Sequence, residues 1–276
     1  MPVLFDVAAP GLPDFSPSGE GVMRKKLVLM IGLICCIALI AGVFVACNDK
    51  GQETGEGGPA PVEPDEGTEQ FEFESRNEEK LGFYYVVTGY NGSSAEVTIP
   101  AAYEDVPVRG IWTEAFKGNE NITSVTIPDS VIFIGSSVFE GCTALKSVTI
   151  PDSVTSIDYY AFRSCTGLES VTLGRGVVEL DDSAFIYCPA LTSLTVAEGN
   201  ATYHSAGNCV INTAEKTVVL GCTGSVIPSD GSVTSIGGWS FSACTGLTSI
   251  VIPDSVTHIG VRAFEWCTGL ESVTIG

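Results

Sequence analysis

The sequence has little positive charge and only two histidines, and both shortages exclude classes of function. It contains 13 Lys and Arg against 33 Asp and Glu, for a formal net charge of -20 over 276 residues. This balance excludes electrostatic binding to nucleic acid or to anionic lipid. His204 and His258 have no neighbours patterned as a catalytic triad or a metal site, and the chain lacks a phosphate loop and an H-E-x-x-H motif. We therefore expect a protein that is not an enzyme and that uses no cofactor or metal.

An uncharged run near the N-terminus predicts export. Residues 27–45 carry no charge and follow Arg24, Lys25 and Lys26, which is the order of a signal peptide. The run is also long enough to span a bilayer as an uncleaved anchor. The next residues, "FVAC" at 44–47, resemble the lipobox of bacterial lipoproteins. The resemblance implies a signal peptide over 23–46 and a lipid on Cys47, and hence a protein anchored in the cell envelope or at the cell surface. We favour this interpretation over the uncleaved anchor.

Two segments without a fold pattern flank the signal. Residues 1–22 precede Met23, the natural start before the basic cluster, so we expect them to be a mis-called extension. Residues 47–70 are rich in Gly, Pro and Glu and have almost no apolar content. Such a composition cannot bury surface and predicts an acidic tether.

The rest of the chain is an internal repeat. The pair Ala-Phe, or a close variant, recurs with steps of 23, 23, 23, 56 and 23 residues, and its phenylalanines are Phe116, Phe139, Phe162, Phe185, Phe241 and Phe264. Leucines and isoleucines recur in the same phase. A fixed period in the twenties is typical of a solenoid, in which stacked units bury what one unit cannot.

Each unit has a strand and a return segment. In "LKSVTIP" (145–151) the apolar residues have the L-x-x-L-x-L spacing of a leucine-rich repeat strand. Pro151 ends the pairing, and "DYYAFRSC" (158–165) predicts a helical turn with Phe162 as its buried anchor. The predicted fold is therefore α/β and rich in β, with parallel strands on one face and short helical turns and loops on the other.

The motif "IPDSVTSIDYYAFRSCTGLESVTL" (150–173) resembles the BspA-like class of leucine-rich repeats of bacterial surfaces. The resemblance implies an N-terminal cap and first repeat at 71–122 and an array at 123–276. The 56-residue step predicts an inserted β-hairpin near 197–229 that projects from the solenoid. No polar terminal unit follows the strand that ends at Gly276, so we expect the natural array to continue.

Two sets of cysteines have different interpretations. Five cysteines share one repeat position: Cys142, Cys165, Cys188, Cys244 and Cys267. Their side chains would form a parallel row, which favours a buried ladder over disulfides or a metal site. Cys209 and Cys222 bracket the predicted hairpin. A register centred between Glu215 and Lys216 would place them opposite each other, which makes them a candidate disulfide in an exported protein.

Two surfaces are candidates for binding. The outward strand positions are almost all Ser or Thr and offer no aromatic or Arg anchor for a partner. The larger side chains occupy the turns and return segments instead: Phe133, Tyr159, Tyr160, Tyr187, Trp239 and Trp266. If they form an exposed cluster, the chain binds an extracellular protein or glycan, as the resemblance implies for adhesion. If they are all buried, a passive structural protein of the envelope is favoured.

Overall fold

The computed structural model describes residues 67–276, and these residues form a β-solenoid of about eight turns. All regular elements of this range are strands. They are β1 (Phe71–Glu78), β2 (Gly82–Tyr90), β3 (Glu96–Thr98), β4 (Ala102–Tyr103), β5 (Val106–Ile111), β6 (Ser124–Thr126), β7 (Phe133–Ile134), β8 (Ser147–Thr149), β9 (Ser156–Ile157), β10 (Ser170–Leu173), β11 (Glu179–Leu180), β12 (Ser193–Val196), β13 (Tyr203–Ala206), β14 (Cys209–Asn212), β15 (Thr217–Leu220), β16 (Ser235–Ile236), β17 (Ser249–Ile252), β18 (His258–Ile259) and β19 (Ser272–Ile275).

Two ladders of parallel strands hold successive turns together. The first ladder runs through β3, β6, β8, β10 and β12, and the second through β5, β7, β9 and β11. Equal repeat positions lie side by side, so that Ser170 pairs with Ser147 on one side and with Ser193 on the other. Since successive side chains of a strand point to opposite faces, Val148 is buried while Ser147 and Thr149 are exposed.

The phenylalanines of the repeat form a stack through the core. Phe116, Phe139, Phe162 and Phe185 follow one another with ring centroids 5.0, 5.1 and 4.9 Å apart, and the rings are nearly parallel. This rise equals the spacing of neighbouring strands, about 4.8 Å. The prediction of a buried anchor in each unit is thus confirmed for this run.

The predicted helical turns are wrong. In the return segment of the second turn, the amides of Ser137, Phe139 and Gly141 donate to carbonyls of the following turn, at 3.1, 2.7 and 2.8 Å. An α-helix would need these amides for bonds to the residue four positions earlier. Ser137 and Gly141 also have positive φ angles of 55° and 75°, which a right-handed helix excludes. The return segment is therefore a third set of hydrogen bonds between turns, and the α/β class is corrected to all-β for residues 67–276.

A hairpin covers the N-terminal end of the stack. β1 and β2 pair antiparallel, and β2 joins the second ladder through β5. The rings of Phe71 and Tyr90 lie against Phe116, at 6.4 and 5.3 Å. Phe83 remains exposed, so this aromatic residue of the hairpin is not needed to cover the end.

The insertion forms a layer of the solenoid and not a projection. β13, β14 and β15 pair antiparallel, and β15 then pairs parallel with β16. β15 therefore begins a separate parallel ladder, which continues through β16 and β18. Gly221 follows it, and the ring of Phe241 lies so close that a Cβ at Gly221 would be 2.2 Å from it. Glycine at position 221 therefore leaves room for the Phe241 ring.

The cysteine ladder is buried and carries specific hydrogen bonds. The thiols of Cys142, Cys165 and Cys188 donate to the carbonyls of Phe116, Phe139 and Phe162 in the preceding turn, at 3.3, 3.1 and 3.2 Å. Cys244 and Cys267 donate likewise to Gly221 and Phe241. All five are free thiols, as the sequence predicted, and four of them are buried while Cys267 is half-buried.

Alkylation of the native chain should separate these thiols. Burial raises the pKa of Cys142 and Cys188 to about 12 and that of Cys209 to about 11. The thiolate is the reactive form, so at pH 8 we expect iodoacetamide to modify Cys267 first among the cysteines of residues 67–276, and the buried thiols only after unfolding. Mass spectrometry of the peptides measures this. Rapid reaction of Cys142 in the native chain would contradict its burial.

Candidate binding surface

The six large side chains predicted to form a binding surface are neither all exposed nor all buried. Tyr159 is 52% exposed and Trp266 is 61% exposed. The other four are half-buried: Phe133, Tyr160, Tyr187 and Trp239. All six lie outside the first ladder, and five of them belong to the return segments, where backbone hydrogen bonds between turns fix their positions.

Phe133 has a packing role. Its ring covers Gly110 in the preceding turn, where a Cβ would lie 2.1 Å from the ring. Trp112 meets it edge-on with centroids 6.1 Å apart. The structure therefore separates Phe133 from the other five and places it near the N-terminal cap.

Tyr160 and Tyr187 gather around one arginine. The guanidinium of Arg163 lies 4.8 Å from the ring of Tyr160 and 5.8 Å from that of Tyr187. Glu140, one turn earlier, pairs with the same guanidinium at 3.5 Å. Tyr159 lies against Tyr160 with centroids 5.5 Å apart and leaves about half of its surface free. Contacts of this kind hold an Arg side chain in one orientation.

A second cluster of the same residue types joins the turns that contain Phe241 and Phe264. The guanidinium of Arg262 lies 4.8 Å from the ring of Trp239 and 3.7 Å from the carboxylate of Glu265. The Tyr187 hydroxyl donates to the same carboxylate at 3.4 Å and so connects the two clusters. We call this surface the aromatic–arginine face; it comprises Tyr159, Tyr160, Arg163, Tyr187, Trp239, Arg262, Glu265 and Trp266.

The two arginines and two glutamates of this region are functional candidates that the sequence prediction omitted. Glu140 and Arg163 are 23 residues apart and occupy one repeat position, as do Trp239 and Arg262. Writing the chain in its repeat would therefore have placed each pair on neighbouring turns, within reach of each other. The 23-residue spacing of each pair is therefore the sequence signal that indicates these contacts.

The outward side chains of the first ladder are exposed on β3, β6, β8 and β12 and half-buried on β10. A shallow groove of about 550 Å³ crosses β6, β8 and β10 and is bordered by the turns that contain Asp129 and Asp152. Arg175 donates to Asp152 through its side chain and, at 2.8 Å, through its backbone amide. This pairing leaves the groove with hydroxyl groups and the carboxylate of Asp129, a sparse set of contacts for a partner.

Cys209 and Cys222 are buried free thiols in the structure. A bulge shifts the register between β14 and β15, so that Val210 pairs with Leu220 and Cys209 comes opposite Gly221. This differs by one residue from the register that predicted the disulfide, and the disulfide stays a prediction. If it exists, both cysteines will stay unmodified in unfolded chain until reductant is added; the observed register favours alkylation without reductant.

The two histidines make few contacts. His204 bonds the Thr213 hydroxyl at 2.8 Å, and His258 is exposed. Within residues 67–276 no group of three or more His, Cys, Asp or Glu is arranged to hold a metal ion, and no helix could cross a membrane. Cys47, the signal at 23–46, residues 1–22 and nearly all of the tether lie outside the described residues.

Comparison with known proteins now identifies the repeat. A family model for the BspA type leucine rich repeat region matches residues 109–223 and 212–276 with six copies, which is more than half of the chain. The chain belongs to the BspA-type leucine-rich repeat family. Leucine-rich repeat proteins are typically non-catalytic binding scaffolds, and BspA-type homologues are described as cell-surface proteins. No curated protein matches the chain.

Several solved structures are similar to this BspA-type chain. The leucine-rich repeat protein of T. pallidum is 26% identical, with 73% of this chain and 78% of that one covered and a TM-score of 0.48. A leucine-rich cell surface protein of Faecalibacterium prausnitzii is 24% identical, with coverage of 78% and 77% and a TM-score of 0.33. A leucine-rich repeat protein of Bacteroides capillosus is 31% identical, with coverage of 46% and 94% and a TM-score of 0.42.

Proposed function

We propose that this BspA-type chain is a non-catalytic, cell-surface interaction protein that binds an extracellular protein or glycan through its aromatic–arginine face. The observation that carries the proposal is the pair of arginines held against aromatic rings, Arg163 on Tyr160 and Arg262 on Trp239. Tyr, Trp and Arg are the residues that most often dominate binding energy at interfaces. Side chains fixed before binding lose less conformational entropy when a partner arrives.

The exposed members of the face support contact with a large partner. Tyr159 and Trp266 present half or more of their surface to solvent, and they lie at the two ends of the face. Single exposed aromatics are common, but these two flank half-buried rings that contact arginines, and aromatic residues and Arg are enriched at interfaces.

Attachment to the membrane through lipidated Cys47 is part of the same proposal. It is supported by the lipobox-like residues 44–47 and by the acidic tether that follows. The passive structural alternative is supported by the uniform Ser and Thr of the first ladder and by the half-burial of Tyr160, Tyr187 and Trp239. The two functions differ in whether the face has a partner.

A pull-down with the full chain tests binding. Immobilised wild-type chain is exposed to extracellular-matrix proteins and to a panel of bacterial and mucin glycans. We expect a partner whose retention falls at least tenfold in the double variant Tyr159→Ala and Trp266→Ala, because loss of two interface aromatics costs about 2 kcal/mol or more. Thr149→Val, on the exposed side of β8, is the matched control and should retain the partner.

The same variants test the alternatives. Equal retention by the double variant and wild type would exclude the aromatic–arginine face, and loss of retention in Thr149→Val would move the site to the first ladder. The anchor is tested by fractionating bacterial cells that express the chain. We expect Cys47→Ser to move the chain out of the membrane fraction. A chain that stays there after this change is not held by a lipid on Cys47.

A further inference from the structure

The backbone ladders of the solenoid stop at one plane. The first ladder ends at β12, and β17 and β19 form a separate two-stranded sheet. The second ladder ends at β11, and β15 begins the sheet that continues through β16 and β18. Both interruptions fall where the inserted layer of β13, β14 and β15 follows the turn of β11 and β12. Turns that are joined elsewhere by continuous backbone hydrogen bonds therefore lack that continuity here.

The core divides within the inserted layer that follows this plane. Phe185 ends the first ring stack, and Phe241 begins a second one with Phe264 at 5.0 Å. The buried side chains form two clusters, and the inserted layer contributes to both. Val210 and Leu220 belong to the first cluster, whereas Ile211 and Val218 belong to the second. The layer thus packs against the N-terminal turns by apolar contact and against the C-terminal turns by contact and backbone pairing.

Side chains replace most of the missing backbone bonds. The amide of Asn208 accepts from the Leu194 N–H at 2.8 Å and donates to the Thr192 carbonyl at 2.8 Å. The Ser205 hydroxyl accepts from the Val196 N–H at 3.3 Å. One backbone bond crosses as well, from the Thr223 N–H to the Leu191 carbonyl at 3.2 Å. Such a boundary resembles an interface between domains more than a ladder within one.

One contact spans the boundary on the outer surface. The hydroxyl of Tyr187, in the last turn before the plane, donates to Glu265 at 3.4 Å. These residues are 78 positions apart in the chain. The aromatic–arginine face is divided in the same way, with Tyr160, Arg163 and Tyr187 on one side and the second cluster on the other.

We propose that the solenoid consists of two rigid blocks, residues 67–200 and 201–276, joined at this plane and held by a Tyr187–Glu265 latch. Neighbouring repeats are coupled through their interfaces, so a weakened interface lets the two blocks open separately. If the proposed function is correct, a partner that spans the aromatic–arginine face fixes the angle between the blocks. The joint itself does not depend on that partner.

Hydrogen exchange of the free, full chain tests the joint. The amide of Leu194 bonds a side chain at the plane, whereas Val171, at the same repeat position one turn earlier, lies inside the five-stranded sheet. We expect the peptide with Leu194 to exchange at least about fivefold faster than the peptide with Val171, a factor that one hydrogen bond accounts for. Tyr187→Phe should accelerate the Leu194 peptide by about another fivefold and leave the Val171 peptide unchanged.

Tyr160→Phe is the matched control, since the Tyr160 hydroxyl has no hydrogen-bond partner among the described residues. It should change neither peptide. Exchange of both peptides in one common step, or equal effects of the two Tyr→Phe variants, would overturn the proposal. Because no partner is present, uniform exchange would leave the pull-down result standing, and a failed pull-down would leave the exchange result standing.

Discussion

Replacing Phe162 by Ala should lower the free energy of unfolding by about 3–5 kcal/mol. The ring is fully buried and lies between Phe139 and Phe185, at 5.1 and 4.9 Å. Its removal takes away apolar burial and opens a cavity that rigid, hydrogen-bonded turns on both sides cannot close. Urea unfolding of the two proteins measures the difference.

Phe83→Ala is the control for this change. Phe83 is 51% exposed on the N-terminal hairpin, so the same truncation removes little buried surface. We expect a loss of about 1 kcal/mol or less, as for most surface substitutions. Similar losses in the two variants would mean that the stack does not dominate the core.

Gly207→Ala should have the second large effect, about 3 kcal/mol or more. Gly207 has a φ of +57°, which costs about 1–2 kcal/mol for a residue with a Cβ. The added Cβ would also lie 1.9 Å from the carbonyl oxygen of Val226. The amide of that residue donates to the Gly207 carbonyl at 2.7 Å, so the two backbones cannot separate without breaking this bond.

Gly231→Ala separates the two causes. Gly231 has a φ of +83°, yet a Cβ there would meet nothing within 4 Å. We expect only the conformational cost, about 1–2 kcal/mol. The thermal midpoints of both variants should show this order, and an equal loss would assign the whole effect to the backbone angle.

The periodicity of the sequence predicted the strands and the stack because both repeat in phase with it. Phe139 and Phe162 are buried at one repeat position and Val148 and Val171 at another, and a step of 23 residues is enough to align each pair. The inserted layer broke this phase. Its pairing depends on a one-residue bulge beside Val210, which no spacing in the chain reveals.

The return segments misled the prediction for a different reason. Ala161, Phe162 and Cys165 have the spacing of one helical face, and they are indeed all buried. A non-helical return segment buries residues with the same spacing. In this segment every second backbone amide donates a hydrogen bond to the following turn, as those of Phe162 and Ser164 do. Tyr160 and Ser164 have positive φ angles of 60° and 58°, which exclude a right-handed helix here. Neither Tyr nor Ser strongly favours a positive φ, so the sequence does not indicate these angles.

The candidate binding surface could be predicted only in part from the sequence. Aromatic residues were selected by type, and five of the six lie in the return segments. Phe133 differs from the other five, since its ring lies against Gly110 of the preceding turn, and its part in binding stays a prediction. The exposure of each ring depends on the side chains of neighbouring turns, such as Arg163 and Arg262, which become neighbours only when the repeat is folded.

The thiol bonds of the cysteine ladder all point toward the N-terminal end of the array. Each thiol reaches back to a backbone carbonyl of the turn before it, as Cys165 does to Phe139. If the turns form in chain order, each new cysteine therefore meets an acceptor that is already in place. In that order the N-terminal hairpin, which covers Phe116, is the surface on which the first turn forms.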